Sequence, residues 1–196
     1  MQHPFRFLLL LLTSIALAAP AARAQQVANA DADFLEWSAT RRITAADFQL
    51  KLQPHSNLRG SNASLHCSLN GPVFELLGKG GNKIFHNQML RSASWLDTTN
   101  RADIPQQIRF QQTLFDIQEI YLRRLRQQAR ASARKMVLLG KPDINELLAG
   151  QMKECQLRQV RYTEETNYAT LPDKQAAWEQ QIRAELQELQ AFEATN

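Results

Sequence analysis

The stretch that most constrains this chain is a single long helix. After Ile108 and Phe110, the apolar residues Leu114, Ile117, Tyr121 and Leu125 follow at steps of three and four, the spacing that lines one helix face. Asp103 and Pro105 offer a cap and an N1 proline upstream, and Gly140-Lys141-Pro142 stops the segment. So long an apolar stripe needs covering, and the rest of the chain must supply the cover. Asp143 caps a second helix, "INELLAGQMKECQLRQVRY", and a third runs from near Pro172 to about Phe192 with Ala176, Ile182, Leu186 and Leu189 as its buried face.

The first half reads as strands. "FLEW" begins it, Thr44 and Asp47 form a capping box around one short turn, and "SLHCSLN" alternates apolar with polar residues. "VFELL", "GKGGN" and "KIFHNQML" read as strand, turn and strand, a β-hairpin. Strands first and helices after give an α+β fold, a small, mostly antiparallel sheet followed by three helices, in one domain over residues 34–193.

The N-terminus has a different character. Arg6, the apolar run Phe7 to Ala19 and the small-x-small site Ala22-Arg23-Ala24 read as a signal peptide over residues 1–24. Residues 25–33 are a loose polar lead-in, and no later stretch is apolar enough for a membrane span. The expected location is therefore periplasmic or extracellular. In an oxidising compartment Cys67 and Cys155, the two cysteines of the chain, are a candidate disulfide. Without the leader, 21 Lys and Arg face 19 acids, but Arg123, Arg124, Arg126, Arg130, Arg134 and Lys135 meet no acid between Ile120 and Pro142. No aromatic residues interleave with these cations, so nucleic acid is not an expected partner. The run reads as the solvated face of the helix, or else as a face that docks an acidic partner.

Zinc peptidases of the H-E-x-x-H kind place two histidines at i,i+4 on one helix face, with the glutamate between them acting as general base. The segment Phe110-Gln111-Gln112-Thr113-Leu114 opens "FQQTLFDIQEIYLRRLR" with that geometry and other side chains. This stretch resembles the active helix of the DUF922 family, bacterial secreted proteins predicted to be zinc-dependent proteases, which reads approximately H-E-Q-x-H-F-D-I-x-E-x-Y-x-R-x-L-R. Gln112, Phe115, Asp116, Ile117, Glu119, Tyr121, Arg123, Leu125 and Arg126 match it in order. Trp37 with "TAADF", "SASW" at 92–95, "YTEETNYA" at 162–169 and "QAAWEQQI" at 175–182 are similar to flanking marks of the family. The resemblance implies a zincin-like fold.

The departures fall at the chemistry. The family's helix histidines correspond to Phe110 and Leu114, its catalytic glutamate to Gln111 and its downstream histidine to Tyr168. Phe and Leu offer no lone pair, and a neutral Gln is a poor base. The expectation is a degenerate protease with no catalytic residue, no metal ligand and no cofactor, which binds a protein or peptide of the cell envelope. Phe110, Gln111, Leu114 and Tyr168 are expected near the floor of any surviving cleft. Asp116 and Glu119 read as helix-surface acids, ahead of relics that once supported the ligands. The alternative is a metal-dependent hydrolase with relocated ligands, His66 and His86 on adjacent strands with an acid such as Glu75.

Overall fold

The computed structural model describes residues 33–53, 55–78 and 81–194. The leader and nearly all of the lead-in lie outside the described residues, as does part of the "GKGGN" turn. From Leu35 onward the chain forms one compact unit. Its elements are strands β1 (Phe34–Glu36), β2 (Ser61–Leu69) and β3 (Phe85–Leu96), then helices α1 (Ile104–Leu139), α2 (Ile144–Thr166) and α3 (Pro172–Glu188). The sheet order is β1-β3-β2, with β2 and β3 antiparallel. The α+β class and its order of strands and helices follow the sequence reading. Among the described residues no helix is long and apolar enough to cross a membrane.

The hairpin is built differently from the expectation. "VFELL" is a 3-10 turn, Val73–Leu77, and β3 pairs instead with "SLHCSLN". A short apolar run between Gly71-Pro72 and Gly78 fits either conformation; here it buries Leu76 and leaves Phe74 and Leu77 exposed. Gly81 makes this packing possible, since a Cβ there would come within 3.0 Å of the Leu76 Cα. The β2–β3 ladder runs from Leu69↔Phe85 to Ser64↔Leu90, then jumps to Asn62↔Trp95. Ser94 bridges the bulge, its hydroxyl accepting from Ser64 N (2.9 Å) and donating to Leu90 O (2.6 Å).

Helix α1 has 36 residues, about 54 Å at the usual rise, and β2, β3, α2 and α3 all pack on it. Gly140 takes φ 66° at its C-cap, the left-handed conformation that glycine adopts without a Cβ clash. The Asp143 side chain accepts from Asn145 N and Glu146 N to start α2. Gln151 bonds Gln128 and Gln159 bonds the Leu114 carbonyl, so α2 runs antiparallel to α1. Contacts Arg109–Glu179 and Arg124–Glu185 advance together, so α3 runs with α1. The buried face of α3 is Gln175, Trp178 and Ile182 rather than one that includes Ala176, which is exposed.

Three apolar clusters surround α1. Phe115 joins Ile43, Phe48, Met89 and Leu96 under the sheet. Phe110, Ile117, Ile120 and Tyr121 meet Cys155, Tyr162, Trp178 and Ile182 among the helices. Leu122, Leu125, Ala129, Ala133 and Met136 meet Leu76, Ile84, Phe85 and Ile144 toward the C-terminal end. The helix is therefore apolar on several sides, as a central helix must be.

Candidate functional site

Of the four positions where the resemblance would place metal chemistry, three are taken up by packing and hydrogen bonding. Phe110 is buried and stacks on Tyr162, with ring centroids 5.4 Å apart and planes at 17°. Tyr162 meets Trp178 edge-on at 5.5 Å, donates to Gln175 Oε1 (2.7 Å), and has its hydroxyl pushed up to about 12 by burial. Gln111 uses both ends of its amide: Oε1 accepts from Ala63 N (3.0 Å), and Nε2 donates to Ser61 O (2.8 Å). β2 is an edge strand, so this side chain does for Ser61 and Ala63 what a neighbouring strand would do. Leu114 is partly buried against the helical cluster.

Tyr168 is the exception. It sits in a turn after α2 where Asn167, Tyr168 and Ala169 all have positive φ (46°, 55° and 61°), a conformation that costs about 1–2 kcal/mol for most L-residues. The turn is fixed by Tyr168 N donating to Thr163 O, Ala169 N to Thr166 Oγ1, and Gln106 Nε2 to Tyr168 O. The result is a tyrosine 63% exposed, its ring tilted against Phe110 at 5.6 Å. Phe110 and Tyr168 line a cleft of about 750 Å3 at the N-terminal end of α1, with Ser61, Asp97, Asp103 and Gln107 among its other walls. Gln111 and Leu114 line a second cavity, about 460 Å3, with Leu65, Cys67, Met152 and Cys155. The expected single floor is thus split: Phe110 and Tyr168 line one cavity, Gln111 and Leu114 the other.

Asp116 and Glu119 are not surface acids. Asp116, 6% exposed, accepts from Trp37 Nε1 (2.8 Å), Gln112 Nε2 (2.9 Å) and the Arg42 guanidinium (2.9 Å). Burial nonetheless raises its carboxyl above the ordinary range, outweighing the Arg42 charge and these bonds. Glu119, 1% exposed, accepts from Arg123 Nε (3.1 Å) and Arg126 Nη1 (2.7 Å) on one oxygen and from Asn87 Nδ2 (3.1 Å) on the other. Arg123 continues to Leu186 O and Glu193, lying 5.0 Å over the Trp37 ring, and Arg126 reaches Phe85 O and Phe192 O. The basic run is accordingly divided: Arg123 and Arg126 are buried, while Arg130, Arg134 and Lys135 are exposed. Most of the polar and charged residues that carry the family resemblance, Trp37, Gln112, Asp116, Glu119, Arg123 and Arg126, form one buried seam between α1, the sheet and the C-terminal segment.

Of the residues named for the relocated-ligand alternative, the two histidines share one face of the sheet. His66 pairs with Gln88 and Ser68 with His86, which puts both histidines on the outer face of the sheet, two positions apart along the ladder with the Cys67↔Asn87 pair between them. His86 Nδ1 is 2.9 Å from Glu36 Oε1, and that oxygen also accepts from Gln88 Nε2 (2.6 Å). Glu75 lies in the 3-10 turn rather than on a strand. Among the described residues no group of three His, Cys, Asp or Glu is placed to hold a metal ion. Cys67 and Cys155, the candidate disulfide, are not bonded to each other in this structure, and both line the second cavity. Sequence reasoning missed Gln107, Asp97 and the left-handed turn; only the juxtaposition of α1 with the strand ends brings them together. No protein-family model, no curated protein and no solved structure matches this chain.

Proposed function

We propose that this chain is an exported, non-catalytic binding module, a degenerate relative of the DUF922 proteins on a zincin-like frame. It would hold a polypeptide of the cell envelope in the cleft beside Phe110 and Tyr168. One observation supports the reading above others: Gln111, at the position of the family's general base, has both ends of its amide engaged by β2. Phe110 and Leu114 on either side of it are committed to apolar packing. The open side of the site is an aromatic and polar cleft, the kind of concave surface that holds a ligand without transforming it.

Two measurements test this. Elemental mass spectrometry of the mature, tag-free protein, before and after zinc incubation and desalting, is expected to find well below one metal per chain. One tightly held zinc would overturn the reading and direct attention to His66, His86 and Glu36. Screening a peptide library on immobilised protein, then repeating with Tyr168→Ala, is expected to lose at least tenfold in affinity, about 1.4 kcal/mol. Peptide binding indifferent to Tyr168→Ala would remove the cleft from the proposal, and zinc-dependent cleavage of a bound peptide would replace binding with catalysis.

A further inference from the structure

Cys67 on β2 and Cys155 on α2 are far apart in the chain but line the same cavity. Met152, one turn before Cys155 on α2, packs against both the C-terminal cluster, which Cys67 borders, and the helical cluster, which contains Cys155. The two thiols therefore face one cavity, each from the edge of a different core. Their environments differ: Cys67 is partly exposed and Cys155 is 2% exposed. Burial raises the Cys67 thiol, and burial together with the nearby Cys67 pushes Cys155 up to about 12. The bonds from β2 to the helices are side-chain bonds: Gln111 to Ser61 and Ala63, Ser61 Oγ to the Gln107 carbonyl, and, beside Cys67, Gln118 to the His66 carbonyl.

We propose that Cys67 and Cys155 are a disulfide pair whose bond, closing across this cavity, braces the edge strand β2 against α2. Forming the bond requires β2 and α2 to close across this cavity until the two cysteines reach disulfide geometry. The oxidant is a disulfide donor, a small-molecule or protein disulfide. The Cys67 thiolate attacks one donor sulfur, forming a mixed disulfide and releasing one donor thiol. Cys155, deprotonated as it reacts, then attacks the Cys67 sulfur and releases the second donor thiol. Two cysteine thiols and one donor disulfide become one protein disulfide and two donor thiols. Order follows exposure, since the donor can reach Cys67 and the buried Cys155 has only Cys67 to meet. The raised thiols make both steps slow in mildly alkaline buffer without a catalyst. This proposal is independent of what the cleft binds.

The test uses the full mature chain, purified reduced and equilibrated with oxidised and reduced glutathione, then denatured in the presence of a thiol-alkylating reagent. The expected result is no alkylated cysteine, a mass lower by two hydrogen atoms, and one cross-linked peptide pair containing residues 67 and 155. The oxidised protein should also have a higher urea midpoint than the Cys67→Ser/Cys155→Ser variant. Two alkylatable thiols after equilibration, or a stable glutathione adduct at Cys67 alone, would overturn the pairing. A bond that forms without raising the midpoint would overturn the brace.

Discussion

Glu119 serves two buried guanidiniums with one carboxylate oxygen and Asn87 with the other. Removing it leaves Arg123 and Arg126 facing an uncompensated hole, although Glu193 still reaches Arg123. Breaking one side of a buried pair costs about 3–5 kcal/mol, a large fraction of the 5–15 kcal/mol typical of a whole domain. Glu119→Ala is therefore expected to lower the urea midpoint severely, and Glu119→Gln, which keeps an acceptor, less so. Equal midpoints for wild type and Glu119→Ala would show that the seam contributes nothing net. Glu119 and Arg123 stand four residues apart on α1, but their burial was not legible in the sequence, because a charged helix pair is ordinarily solvated. The missed signal lay off the stripe: Phe115, Ile120 and Leu122 occupy other sides of α1. A helix apolar on several sides is surrounded, and its charges with it.

Among the elements, the three helices, their starts and the stop of α1 were readable because these signals are local: Pro105, Gly140, Asp143 and Pro172 act on their own neighbours. The strand pairing was not, because "VFELL" and "SLHCSLN" competed for one partner and only burial of Leu76 decides between them. The left-handed turn after α2 was equally hidden. Asn167 tolerates positive φ, but Tyr168 and Ala169 do not favour it, and Thr166, Thr163 and Gln106 hold them there. Ala169→Gly relieves one strained residue at the expense of unfolded-state entropy and a buried methyl. It is expected to change stability by no more than ~1 kcal/mol, with Tyr168 still in place and peptide binding retained. Should Ala169→Gly abolish binding while the fold persists by circular dichroism, the turn's rigidity rather than its ring would be what the cleft uses.

At the scale of the whole molecule, Tyr162 is where the helices meet. It belongs to α2, stacks on Phe110 of α1, and both touches Trp178 and donates to Gln175 of α3, while Gln175 in turn donates to Thr113 of α1. Its folded hydroxyl titrates near 12 against an ordinary 10, chiefly through burial. A raised folded value means that the native state keeps the proton where the unfolded chain has lost it. This contribution is full below pH 10 and disappears as pH rises to about 12. At 1.36 kcal/mol per unit it amounts to roughly 2–3 kcal/mol. Cys155, if still a thiol, would titrate in an overlapping range, so the comparison belongs in the Cys67→Ser/Cys155→Ser background. There the urea midpoint is expected to fall steeply from pH 10 to 12. Adding Tyr162→Phe should cost about 1 kcal/mol of stability at neutral pH through the lost hydrogen bond, seen as a lower midpoint, yet flatten the alkaline slope. Parallel slopes with and without the hydroxyl would mean that another group opens the helical core in alkali, and that the Tyr162 contacts hold the three helices together by packing alone.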